Sequence, residues 1–184
     1  MVALLLKAGA DVNVAGKEGT ALASIMTADY VDIAELLLSA GADVNAVGGI
    51  YGCPLGRAVS CGCEMVSLLL DRGANPNLVP PFSLQTQACS ADTILGIAVD
   101  RGDVAVVELL LKRGSDPNIQ GPSQTTPLHL AVGQENLRIT HLLLDAGARS
   151  DTKDAQGQTP FDVALSTNSG ALIRLLKQKR SSRR

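Results

Sequence analysis

The chain has 184 residues, 46% of them hydrophobic, with no Trp, two Tyr and two Phe. So much aliphatic material excludes a disordered chain, while a globular enzyme of this length normally fills its centre with larger rings. The net charge of −2 hides an asymmetry: residues 174–184 hold six positive charges and no acid, which leaves 10 Lys+Arg against 18 Asp+Glu, a net of −8, over residues 1–173. An acidic body disfavours nonspecific nucleic-acid binding, which works by phosphate neutralisation, and suits a basic partner.

Cys53, Cys61, Cys63 and Cys89 form no CxxC pair and no disulfide framework. No apolar run approaches the length of a membrane span, and Met1–Lys7 is too short for a signal sequence. The expectation is a reduced, soluble, monomeric protein of the cytoplasm, with the basic cluster a candidate nuclear-targeting signal.

In chain order, residues 1–8 read as a short helix stopped at Gly9, where glycine takes the left-handed position that other residues resist. No inner helix precedes it, so the chain begins halfway through a unit. Either the array is cut from a longer one, or this helix is an imperfect cap. Asp11–Gly19 is a polar turn or hairpin. Thr20 then caps a helix to Met26, a break falls near Asp29-Tyr30, and Val31–Leu38 forms a second helix with apolar residues at 33, 34, 37 and 38. The same pair of helices returns from Cys53, Thr93, Thr126 and Thr159, giving helix pairs near 20–39, 53–71, 93–112, 126–145 and 159–178 after a half unit at 1–13. A basic tail, 179–184, is expected to be disordered.

A self-similar segment runs through the whole chain, written most fully at Leu109-Leu-Leu-Lys-Arg-Gly-Ser-Asp-Pro-Asn118. Its leucine trio begins at 4, 36, 68, 109 and 142, with a degenerate copy at 175, so the period is close to 33 with one interruption. Pro54, Pro127 and Pro160 sit where a first helical residue needs no N–H. Leu22, Leu55, Leu95, Leu128 and Phe161 share one register and predict a spine between layers. Ala58, Ala98, Ala131 and Ala164 are small where helices approach closely. Each layer alone is too thin to bury its apolar face, so neighbours must stack into an all-α solenoid with turn or β-hairpin fingers.

Thr126-Pro127-Leu128-His129-Leu130-Ala131, together with Gly-Ala-Asp-Val-Asn at 9–13 and 41–45, resembles the ankyrin repeat. The wording Gly-Thr-Ala-Leu at 19–22 is similar to a variant of fungal ankyrin arrays. The resemblance covers nearly the whole chain. It implies an ankyrin-repeat solenoid, protein–protein recognition, and structural roles for Thr126, Pro127, Leu128, Thr159 and Pro160. It also implies that His129 hydrogen-bonds within and between repeats, with Asp162 of the next copy placed to face it.

Three departures from the pattern stand out. From hairpin glycine to cap residue the third interval is 20 residues, against 11 or 12 elsewhere, which makes an enlarged finger at 78–92. Pro80-Pro81 blocks regular structure there. The second repeat has lost one residue around Gly62-Cys63, predicting a distorted helix–helix turn. Gln124 replaces a hairpin glycine in the fourth copy.

Little in the sequence speaks of catalysis. A His129–Asp162 contact has the look of a general-base pair, but no nucleophile is tied to it by motif. Cys61-Gly-Cys63 lacks zinc-ligand spacing, and no phosphate-binding, dinucleotide or hydrolase motif occurs, so no cofactor and no metal are expected. The reading is a non-catalytic interaction module that takes a protein partner, with no nucleic acid and no membrane. By register the finger tips are Lys17, Glu18, Ile50, Tyr51, Pro122, Ser123, Thr125, Gln156 and Gln158. On the concave inner helices the corresponding positions are Thr27, Ala28, Ser60, Cys61, Asp100, Arg101, Gly133 and Gln134. Phe82 and Leu84 of the enlarged finger have no core slot, and Tyr51 and Phe82 are the anticipated anchors. Two alternatives stand beside it: a small-molecule or enzymatic site in the groove of the irregular second and third repeats, and one segment of a larger receptor.

Overall fold

The computed structural model describes residues 1–48, 52–79 and 92–181. Among them are eleven α-helices and no strand, the nearest approach being one antiparallel bridge between Gly16 and Gly19. The described fingers are therefore turns. The chain divides into two compact units, Met1–Ala88 and Cys89–Arg184.

The first unit holds α1 (Val2–Lys7), α2 (Ala21–Ser24), α3 (Val31–Ser39), α4 (Pro54–Ala58) and α5 (Cys63–Asp71). Helix α2 lies against α3 and α4, α4 against α5, and α3 against α5, so two short rows stack side by side. Leu22, Met26, Leu37, Leu55, Met65 and Leu69 fill the space between them and are almost wholly buried. Burial of each such side chain is worth about 1.5–3 kcal/mol, and this rather than helix propensity holds helices of four to nine residues. Helix α1 has no inner mate and buries none of its residues.

The second unit contains three complete layers. Its inner row is α6 (Ile94–Asp100), α8 (Pro127–Gly133) and α10 (Pro160–Ser166); its outer row is α7 (Val104–Lys112), α9 (Leu137–Asp145) and α11 (Gly170–Ser181). Each inner helix packs on its own outer helix and on the next inner one, and the outer helices touch in series. Leu95, Leu110, Leu128, Leu143, Leu172 and Leu176 are fully buried there. Helix α11 runs to Ser181, past the end at 178 expected for the last pair, and Lys179 within it lies 2.6 Å from Asp145 on α9.

Polar residues set where each layer begins. Thr20, Thr93, Thr126 and Thr159 accept a first-turn amide through the side-chain oxygen, and Cys53 does so through Sγ, 3.3 Å from the Gly56 nitrogen. Nine residues after the cap the chain turns through the left-handed region at Gly62, Gly102, Glu135 and Asn168. The next residue caps the outer helix: Asp103 accepts from Val106 N and Asn136 from Ile139 N. In the second repeat this residue is missing. Gly62 itself stands at the cap of α5, with no side chain to offer. The one-residue shortening read from the sequence is thus the loss of a cap.

Three side-chain amides also tie neighbouring layers. Asn13 donates Nδ2 to Gly41 O and accepts from Asp43 N at 2.7 Å; Asn45 repeats the pattern with Gly73 O and Asn75 N. In the second unit Asn118 does the same with Gly147 O and Arg149 N. A side-chain amide carries both a donor and an acceptor, so one residue satisfies both backbone groups of the following turn.

Candidate functional site

In the first unit, Lys17 and Glu18 are exposed at the tip of a finger whose base is closed by reciprocal Gly16–Gly19 backbone bonds of 2.9 and 3.1 Å. Thr27 and Ser60 are exposed at the ends of the inner helices. The Cys61 thiol is half-buried and lies 2.9 Å from Met26 O, tying the second layer to the first. Cys63 is exposed and Cys53 buried, and both are thiols. Burial pushes the Cys53 thiol up, against the lowering effect of the Gly56 and Leu55 amides, so it stays protonated as a cap acceptor.

The second unit brings several of its named residues together. Gln134 Nε2 reaches back one layer to Asp100, 2.9 Å from its carbonyl and 3.2 Å from its carboxylate. Arg101 and Gly133 are exposed beside this pair in sequence, and Pro122, Gln156 and Gln158 are exposed on the fingers. Ser123 and Thr125 are half-buried. The Ser123 amide donates to Asp92 at 2.7 Å, and the Gln156 and Gln158 amides share Asp154 Oδ1 at 3.0 and 2.8 Å. Gln120 donates Nε2 to Gln124 O and, at 3.1 Å, to Lys153 O. Gln124 itself holds the left-handed φ of 56° that other fingers give to glycine.

Asp92, Asp154 and Gln120 shape these tips, although they lie outside the tip positions expected by register. The Asp154-Ala-Gln-Gly wording carries the signature of a side-chain-closed turn and was readable. Asp92 was not, because its partner lies 31 residues away. Its fit also explains Gly121: a Cβ there would stand 1.9 Å from the Asp92 Cβ.

His129 is buried and its ring is fully committed. The Thr126 amide donates to Nδ1 at 3.2 Å, the Thr126 hydroxyl lies 2.7 Å from the same nitrogen, and Nε2 is 3.0 Å from Gln158 O. Nδ1 accepts, so Nε2 carries the proton and the imidazole is neutral. Burial lowers its pKa below the ordinary 6.5, partly opposed by the Gln158 carbonyl and the Asp154 charge. Instead of a general-base pair with Asp162, the ring joins one layer's cap to the next layer's finger. Asp162 holds its own cap, accepting from Thr159 N at 2.9 Å and Thr159 Oγ1 at 2.7 Å. Pro127, Leu128 and Pro160 are buried at these helix starts.

Ile50, Tyr51, Phe82 and Leu84 lie outside the described residues, as does the enlarged finger from 80 to 91. Among the described residues no group of three or more His, Cys, Asp and Glu could hold a metal ion, and no helix is long and apolar enough to cross a membrane.

A family model for ankyrin repeats (three copies) matches residues 1–79 and 95–182. The chain is 36% identical over 102 residues to cyclin-dependent kinase 4 inhibitor B of Homo sapiens, covering 55% of this chain and 67% of that protein. It is 33% identical over 116 residues to cyclin-dependent kinase inhibitor 2A of Monodelphis domestica, covering 62% of this chain and 63% of the relative. Against the potassium channel SKOR of Arabidopsis thaliana it is 32% identical over 93 residues, half of this chain and 11% of the channel. The last two matches cover less than two thirds of the relatives' own length.

Proposed function

Because the chain belongs to the ankyrin-repeat family, we propose that it is a non-catalytic module that binds a protein through its finger tips and inner-helix face. One observation supports this most directly. The exposed side chains of that edge stand on backbone already held by hydrogen bonds to side chains of the chain itself, through Asp92, Asp154 and the Asp100–Gln134 pair. A surface organised before binding loses little entropy on association. His129, the residue that most suggests chemistry, has both ring nitrogens in use for architecture. Two of the relatives are named as inhibitors of cyclin-dependent kinases, which makes a protein kinase a reasonable first partner to try.

The test is capture of proteins by the immobilised chain, with a cyclin-dependent kinase included as a defined probe. Arg101→Glu combined with Gln156→Ala alters the edge; Arg138→Ala on α9 is the control on the outer row. The edge variant is expected to lose the specifically retained proteins while the control keeps them. Equal retention by both would place binding elsewhere. A third arm, with residues 78–91 shortened to the usual finger length, asks whether Phe82 and Leu84 contribute.

A further inference from the structure

Eight residues after the cap, two repeats use a side chain to reach back one layer, but with different chemistry. In the repeat capped by Thr126 this residue is Gln134, whose amide donates to Asp100 O at 2.9 Å. In the repeat capped by Cys53 it is Cys61, whose Sγ–H donates to Met26 O at 2.9 Å and lies 3.9 Å from Arg57 O of its own layer. A carboxamide is inert to mild oxidants, whereas a thiol is not.

The residue missing from the second repeat brings another thiol to this tie. Gly102-Asp103 and Glu135-Asn136 separate the corresponding position from the first residue of α7 and of α9, but only Gly62 precedes α5. Cys63, which opens α5, is thereby set one glycine from Cys61. Both are reduced, with Cys63 exposed and Cys61 half-buried. Cα atoms two peptide steps apart stand within about 7 Å of each other, the outer limit for a disulfide. Drawing the sulfurs together turns on Gly62, now at φ 93°, and glycine passes between positive and negative φ without steric cost. Cys53, the remaining thiol of this unit, is 1% exposed and shielded from a dissolved oxidant.

We propose that Cys61 and Cys63 form a peroxide-responsive switch that couples and uncouples the first two layers. The exposed Cys63 sulfur attacks one oxygen of hydrogen peroxide: an S–O bond forms, the O–O bond breaks, and the leaving oxygen takes the thiol proton and departs as water. The Cys61 sulfur then attacks the sulfenic sulfur of Cys63. An S–S bond forms, the S–O bond breaks, and a second water leaves with the Cys61 proton. Two thiols and one peroxide thus give one disulfide and two waters. The proton given up is the one that Cys61 donates to Met26 O, so oxidation removes the tie and a thiol reductant restores it. No binding partner enters this inference, and it stands or falls apart from the function proposed above.

The full chain, treated with hydrogen peroxide, then unfolded and alkylated, tests it by peptide mass. Tryptic peptide 58–72 holds both thiols and no other cysteine. It should lose two hydrogens and take no alkyl group, while Cys53 and Cys89 are alkylated. In Cys61→Ser, oxidation of Cys63 should stop at the sulfenic acid, captured by a 1,3-diketone. Amide hydrogen exchange reads the tie itself. Residues 21–30 should exchange roughly 2–10-fold faster in the oxidised chain, the loss expected for one hydrogen bond, while residues 127–145 stay unchanged. Cys63→Ser keeps the Cys61 donor and should show no acceleration with peroxide. Peptide 58–72 that remains fully alkylated overturns the proposal, as does pairing of either thiol with Cys53, Cys89 or another chain. So does a bridged chain whose exchange is unaltered, or an equal acceleration in Cys63→Ser.

Discussion

Single positions in this chain can be judged against their counterparts in the other repeats, which makes misfits easy to see. After each outer helix, Ala10, Ala42, Ala74 and Ala148 occupy the slot that Ser115 takes in the third complete copy. Ser115 is buried, and its hydroxyl has no hydrogen-bond partner among the described residues. An unsatisfied buried hydroxyl costs roughly 1–3 kcal/mol, and alanine removes it without adding volume. Ser115→Ala should therefore raise the unfolding free energy by about 1 kcal/mol, readable by urea titration; a loss of stability would show that the hydroxyl is used. His129 supplies a second case, in its pH dependence. Its pKa is lowered in the folded state, so on acidification the unfolded chain takes up the proton first. Its contribution is complete above the unfolded value of 6.5 and is lost as pH falls from there through the folded pKa. The stability gap between wild type and His129→Gln should accordingly be widest near neutral pH and narrow as the pH falls below 6.5. A gap independent of pH would mean that His129 acts through packing alone.

At the level of the element, caps and turns do what propensity cannot, since the helices of four to nine residues in the first unit are too short to persist alone. Helix α5 tests this directly, because it begins at Gly62 without the capping side chain that Asp103 and Asn136 provide to α7 and α9. Inserting Asp between Gly62 and Cys63 restores the 16-residue spacing of the other repeats and gives the first turn an acceptor. The expected gain is about 1 kcal/mol, measured as a rise in the denaturant midpoint. A fall would show that the short turn is required by the bond from Cys61 Sγ to Met26 O. The ion pairs along the outer rows, Glu35–Arg72, Glu108–Arg138 and Asp145–Lys179, are partly exposed at 3.8, 3.2 and 2.6 Å. Solvent screens such pairs, and they add little beside the caps. Lys179, and after it His141, lowers the Asp145 pKa through side-chain hydrogen bonds.

At the largest scale, each compact unit is a sum of neighbouring layers. Stability in such arrays follows from each layer and its interfaces, and at least three layers are needed to persist. The second unit has three complete layers, whereas the first has two and a half. A fragment of residues 89–184 should therefore fold alone, with helical circular dichroism and one cooperative thermal transition. Residues 1–88 should be less stable. A disordered 89–184 fragment would mean that its layers draw their stability from outside the unit.

The sequence alone determined the period, the helix pairs, the cap threonines, the lost residue near Gly62 and the all-α layered class. All of these are local or periodic properties, fixed by which side chains recur at which spacing. It carried the membership in the ankyrin-repeat family for the same reason. Only the tertiary structure decided what the side chains at those positions do. Cys61 spends its thiol on the preceding layer, and Asp92 shapes a tip 31 residues away. The exposure of Leu5 and Leu165 was equally illegible, since their apolar counterparts Leu37 and Val132 are buried. Spacing fixes the face on which a residue lies, but burial depends on whether another layer stands opposite.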